Sequence, residues 1–163
     1  GEILTTVGDA LNSRVVDFPV PACFDYASTK RAMWRERSVQ NVITLLHRMD
    51  VAVFGVGCIN AQVPSHVYSS GYLDDDEVRR LAADGVVGDV STVLLREDGS
   101  WTDIDFNARA TGLTPSELAQ VTRRFCVVAD PSRAGAVVGA LRAGTTTDLV
   151  IDEGTARAVL ARL

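Results

Sequence analysis

Lysine is nearly absent from this chain: of its 16 basic residues only Lys30 is lysine, and the other 15 are arginine. Cysteine is scarce as well. Cys23, Cys58 and Cys126 are odd in number and far apart, which excludes a disulfide framework or a zinc knuckle and suits a reducing cytosol. No apolar run approaches the ~20 residues that cross a bilayer, and the opening residues do not read as a charged-then-apolar leader. Basic charge is outweighed by 21 acidic residues, giving a formal net charge of −5. Such a surface does not attract nucleic acid by itself. What is present is 47% apolar and 23% charged residues over 163 positions, the profile of one globular domain with a proper core. The chain opens on Gly1 rather than Met, so it is expected to be a processed product or a piece of something longer.

Apolar spacing switches between a period near 3.6 and short β-branched runs, which predicts an alternating α/β fold. Helices are expected over residues 3–11, from an N-cap at Ser28 through Met49 with a possible interruption, over 73–83, from Thr114, over about 132–141 and over 154–163. Strands are expected over 14–18, 51–57, 86–95, 101–106, 125–129 and 148–151. The 51–57 run is apolar on both faces, as in the interior of a parallel sheet. Asp98-Gly99 predicts the turn of a hairpin between the 86–95 and 101–106 strands, an antiparallel interruption of the βα pattern. Thr114-Pro115-Ser116-Glu117 has the composition of a helix start with a capping box and Pro at its first position.

In open α/β sheets ligands gather beyond the carboxyl ends of the strands, which draws attention to three loops. Gly55-Val56-Gly57 resembles part of a dinucleotide fingerprint, but Asn60 replaces the third glycine and Pro64 interrupts any following helix. A tight turn or a close backbone approach to a ligand is the better reading, and no cofactor is expected. Asp89, inside Gly85-Val86-Val87-Gly88-Asp89-Val90, reads either as a solvent-facing turn carboxylate or as an acceptor for a polyol. Asp130-Pro131-Ser132-Arg133 reads as a helix cap with a solvated arginine; its alternative is an anion site made by the helix start and Arg133. His47 and His66 have no neighbours at metal-ligand spacing, so no metal site is expected. The acidic run from Asp74 suits a solvated helix start, and Trp34 and Trp101 suit core or interface anchors.

In order, the segments Val86-Val87-Gly88-Asp89-Val90, Arg109-Ala110-Thr111-Gly112-Leu113, Cys126-Val127-Val128-Ala129 with the helix from Ala134 to Gly144, and Leu149-Val150-Ile151-Asp152-Glu153-Gly154-Thr155-Ala156 resemble the sugar-binding domain of the SorC-type bacterial transcriptional regulators. The stretch from Pro21 to Lys30 resembles the deoxyribonucleoside-regulator branch. The resemblance implies a mostly parallel sheet with helices on both faces, related to sugar-phosphate isomerases and CoA transferases. Residues 1–163 would form a single effector domain, incomplete at its N-terminal side, whose DNA-binding helix-turn-helix lies outside this chain.

The resemblance also implies binding of a phosphorylated sugar that switches DNA affinity, with assembly into dimers or tetramers. The residues it places in the pocket are Gly55 and Gly57, Asp89 and Arg133, with Lys30 at its border. The family's last loop is usually Gly-Gly, two residues and Lys. Here Ala129, Asp130 and Arg133 stand in those places; Arg133 can hold phosphate through its planar fork, while Asp130 must turn away to cap the helix. Lys30 gains weight in this setting, because an amine in a partly desolvated pocket can form an imine with an open-chain aldose and a guanidinium cannot. The rival expectations are a sugar-phosphate isomerase or aldolase on the same architecture, and a degenerate domain kept for oligomerisation.

Overall fold

A computed structural model describes residues 2–163. Two small sheets share one core. The first is parallel, with strand order β1 (Val51–Phe54), β5 (Arg123–Val128) and β6 (Asp148–Ile151); the second is antiparallel, with order β2 (Val56–Gly57), β3 (Val86–Val90) and β4 (Val93–Arg96). The helices are α1 (Glu2–Ala10), α2 (Ala27–Met33), α3 (Arg37–Leu46), α4 (His66–Ser69), α5 (Asp75–Ala83), α6 (Pro115–Leu118), α7 (Ala134–Arg142) and α8 (Glu153–Leu160). The result is a mixed α/β domain whose main sheet is parallel.

α7 ties the two sheets together. Its residues Ala134 to Ala140 are all buried, and it packs on β2, β3 and β4 as well as on α8. Small residues allow this close approach: a Cβ at Gly139 would lie 2.3 Å from Leu95 and 2.5 Å from the Arg96 carbonyl oxygen. The core of the parallel sheet is Ala52, Cys126 and Val128. On its opposite face Val53, Val127 and Val150 are about half or more exposed, and Arg123 covers part of it by lying over the Phe125 ring and pairing with Asp148 at 2.7 Å.

Several expected elements differ. The run 51–57 divides at Gly55 into β1 and β2, which belong to different sheets. β1 pairs with β5 alone among the described residues, so its Val51 and Val53 face outward rather than lying inside a covered sheet. Residues 14–18 form no strand. The 86–95 run is itself the hairpin, turning at Ser91 and Thr92 with φ of 50° and 72°. Asp98-Gly99 is a turn as expected, with φ 88° at Gly99, but it leads to an irregular segment and a 3₁₀ turn at Asp105–Ala108 instead of a strand. The long helix from residue 28 is interrupted at Trp34–Glu36, giving α2 and α3.

Candidate functional site

Asp89 is the next-to-last residue of β3, where the pleat turns it inward beneath Gly57 of β2, its registered partner. Only 6% of the residue is exposed. Its Oδ2 accepts the Thr92 N–H at 3.2 Å, holding the turn whose two residues carry positive φ. Its Oδ1 is sealed from solvent with no partner in hydrogen-bond geometry, although the Ser65 hydroxyl lies beside the carboxylate and favours its charge. Burial dominates, and pushes the Asp89 carboxyl above the usual range against the pull of Ser65, Thr92 and the Arg133 charge.

Gly57 is required here. A Cβ on it would lie 2.2 Å from Asp89 Oδ1 and 2.4 Å from Ser65 Cβ, so its hydrogen is what lets the carboxylate and the loop before α4 meet. Gly55 serves differently: a Cβ would come to 3.3 Å from the Val127 carbonyl oxygen, where the chain leaves the parallel sheet. Arg133 clamps the connection from β2 to α4, donating from its terminal nitrogens to the carbonyls of Val56 at 2.6 Å and Val63 at 2.9 Å. Each of those nitrogens keeps a second N–H, and Nε is buried without a partner. Asp130 turns away, as a cap: Oδ1 accepts from Ser132 N and Oγ at 2.9 and 2.7 Å, and Oδ2 accepts from Gln62 N at 3.3 Å. Gly57, Asp89 and Arg133 therefore share one neighbourhood.

Lys30 occupies another. The segment before α2 is fastened to residues 109–111 by the Cys23–Ala110 bridge and by Thr111 Oγ1, which donates to the carbonyls of Pro21 and Ala22 at 2.7 and 2.8 Å. This sets α2 beside the Thr111–Thr114 loop. Nζ of Lys30 lies 5.1 Å from the centre of the Trp34 ring, itself held edge-on by Phe18 and Phe24. Lys30, Trp34, His47, Gly112 and Glu117 line a hollow of about 100 Å³; neither Asp89 nor Arg133 lines it. Partial burial depresses the Lys30 pKa, opposed by the Glu117 charge. Cys23, buried before α2, senses charges from both neighbourhoods. Burial raises its thiol to about 11, and its charge environment includes Arg109, Asp89 and Lys30.

A larger groove, of about 670 Å³, lies between α5 and the 103–109 segment. Two of its three arginines are already paired, Arg96 with Asp84 and Asp103 and Arg109 with Glu77, and Arg80 also lines it. Among the described residues no three His, Cys, Asp or Glu side chains gather as metal ligands, and no helix is long and apolar enough to cross a membrane. Two site residues were not legible beforehand. Ser65 sits in a loop with no motif, and Glu117 reads in sequence only as a capping residue.

Comparison with known proteins gives this geometry a setting. The family described as "Putative sugar-binding domain" matches residues 1–161. The chain is 33% identical over 164 residues to the transcriptional regulator LsrR of Enterobacter sp. (strain 638), covering 99% of this chain and 50% of the relative. Identity to the deoxyribonucleoside regulator of Bacillus subtilis (strain 168) is 24% over 159 residues, again 50% of the relative. The chain thus spans about half the length of the curated relatives it matches. The crystal structure of a domain of a possible sugar-binding transcriptional regulator from Arthrobacter aurescens TC1 superposes with a TM-score of 0.88 at 49% identity, over 98% of this chain and 60% of that one. The full-length sorbitol operon regulator SorC from Klebsiella pneumoniae shares the fold, with a TM-score of 0.78 at 19% identity over 91% of this chain and 47% of that one. With its family model, its relatives and its fold in agreement, this chain belongs to the sugar-binding domain family of SorC-type transcriptional regulators.

Proposed function

We propose that this domain is the effector-binding part of a cytoplasmic transcriptional regulator and takes a phosphorylated sugar of the deoxyribose 5-phosphate kind. The observation that carries the reading is the buried Asp89 carboxylate, whose Oδ1 has only the Ser65 hydroxyl beside it and makes no full hydrogen bond; a sugar hydroxyl entering there would donate to it, and a hydrogen bond to a charged group is worth about 1.5–3 kcal/mol. Arg133 offers its remaining N–H groups and the start of the 131–142 helical segment to the phosphate. Lys30 meets the carbonyl carbon of the open-chain sugar as a reversible imine, since it is the only side chain of its kind in the sequence and its pKa is depressed. DNA binding belongs to a separate domain, and the effector favours one arrangement of a homodimer or homotetramer. The curated relatives named above are regulators, which supports binding over turnover.

The test is a thermal-shift series with sugar phosphates. An effector at 100 times its Kd stabilises by about 2.7 kcal/mol, and Asp89→Asn abolishes the shift. Borohydride reduction in the presence of deoxyribose 5-phosphate should leave a mass adduct on Lys30. Absence of any shift across linear, phosphorylated and unphosphorylated sugars rejects the effector reading. Turnover of the sugar phosphate by the purified chain replaces it with the aldolase reading.

A further inference from the structure

Lys30 does not face its hollow alone. Glu117 is the third residue of the capping box that starts α6. Its Oε2 accepts both the Thr114 N–H at 2.8 Å and the Thr114 hydroxyl at 2.7 Å, so the carboxylate is fixed by one oxygen. The other oxygen, Oε1, is left to face His47 Nε2 at 4.0 Å. His47 closes the C-terminal end of α3. All three side chains line the same hollow of about 100 Å³, room for a small aldehyde end but not a whole sugar phosphate. A cap needs neither the free oxygen nor the histidine.

We propose that this hollow is a carbonyl-reactive site in which Glu117, backed by His47, carries the protons that imine formation at Lys30 requires. The inference rests on the reading of Lys30 as an imine-forming residue. The reaction is an exchange of water for nitrogen: a lysine ammonium and an aldehyde give a protonated imine and water. The neutral amine's lone pair forms the C–N bond while the carbonyl π pair moves to oxygen. The C–O bond then breaks as nitrogen's lone pair forms the C=N bond. Two protons must leave nitrogen and arrive on the departing oxygen, so a group able to accept and return a proton has to stand between them. Glu117, which lines the same hollow and whose charge acts on Lys30, takes that part, and His47 takes up or restores the proton on the carboxylate. The other charged or titratable groups at this place are Arg31 and Arg35 beside Lys30 and the Cys23 thiol. The thiol is held to about 11 by burial.

The test uses the whole chain with glycolaldehyde and cyanoborohydride, reading alkylation by peptide mass. Besides Lys30 the chain's only aliphatic amine is its α-amino group, which serves as an internal reference. Glu117→Gln keeps the capping box, since glutamine serves there as well as glutamate. The two roles of Glu117 predict opposite signs. As a charge alone it holds the Lys30 ammonium on, so its loss frees more amine and speeds labelling. As a proton carrier, its loss slows Lys30 labelling about tenfold or more relative to the α-amino group. Wild-type labelling at Lys30 with a slowed variant supports the proposal. Unchanged or faster labelling in Glu117→Gln overturns it and leaves Lys30's own role standing. No preferential labelling of Lys30 in the wild type overturns both.

Discussion

Asp89 Oδ2 accepts the Thr92 N–H across 3.2 Å while the other oxygen of the same carboxylate, beside the Ser65 hydroxyl, completes no hydrogen bond. One oxygen thus holds a hairpin turn and the other, sealed from solvent, is the one proposed to meet a ligand. The two jobs separate on substitution. Asparagine keeps an oxygen for Thr92 and places an amide where the free acceptor was. Asp89→Asn is therefore expected to fold with native or greater stability and to lose sugar-phosphate stabilisation, whereas Asp89→Ala releases the turn and costs about 1–2 kcal/mol in urea unfolding.

The same carboxylate gives a pH signature. Burial raises its folded pKa above the ordinary 3.8, so the native state keeps this proton at pH values where the unfolded chain has lost it. Stability contributed by the group is complete below 3.8 and is lost as pH rises through the folded value. Asp98, Asp103 and Asp148 act in the opposite direction, since hydrogen bonds lower their pKa and their contribution disappears as pH falls. Subtracting the Asp89→Asn stability curve from the wild-type curve should isolate a difference that becomes less favourable to the wild type with rising pH. A flat difference contradicts the burial argument.

Gly57→Ala tests the contact between β2, β3 and the Ser65 loop. The added methyl meets Asp89 Oδ1 and Ser65 Cβ well inside van der Waals contact, and both neighbours belong to packed segments that cannot swing away. A cost of about 1–3 kcal/mol is expected from overpacking, with loss of ligand-induced stabilisation. Gly144, whose Cβ position is open although its φ is 70°, provides a control: alanine there adds backbone strain without touching the site, so sugar-phosphate stabilisation should survive.

Much of this was readable from residue order. The Thr114-Pro115-Ser116-Glu117 start, the acidic entry to α5 and the 148–151 strand all appear where local chemistry puts them, because caps and β-branched runs act within a few residues. The turn at Ser91-Thr92 was hidden. Neither residue favours positive φ, and what holds them there is Asp89 together with contacts from Ala22 and Gly112. The division at Gly55 was hidden for the same reason, being imposed by a carbonyl on β5. Of the site, Asp89 and the glycines were legible as an acid in an apolar run and as paired turn residues. Ser65 was not, since it enters by tertiary contact. The pairing of Glu117 with His47 joins positions 70 residues apart.

Lys30 offers a direct spectroscopic check. As the only lysine, it gives a single side-chain signal in chain labelled with ¹⁵N-lysine. Partial burial against the Trp34 ring lowers its pKa from 10.5, so the signal is expected to titrate below that value. Unfolding in urea should restore the ordinary midpoint. The linkage follows: the unfolded chain holds this proton to higher pH, so stability rises as pH climbs from the folded midpoint toward 10.5. A folded midpoint at or above 10.5 removes the electrostatic basis for a reactive amine.

Arg133 separates a clamp from a mere positive charge. Its fork reaches two carbonyls on different parts of one loop, Val56 at the strand end and Val63 before α4. Lysine carries the charge but is a single point without the planar pair of terminal nitrogens, so Arg133→Lys can satisfy one carbonyl at most. The expected result is faster amide hydrogen exchange across residues 58–65, with little change in α7 or the parallel sheet, and a stability loss of about 1–3 kcal/mol. The Ser65 N–H, which donates to Cys58 O at 3.2 Å, is the amide to watch, because it closes the same loop from inside. If exchange there is unchanged in Arg133→Lys, the loop is held by its own backbone, and the arginine is free to turn wholly toward an anion.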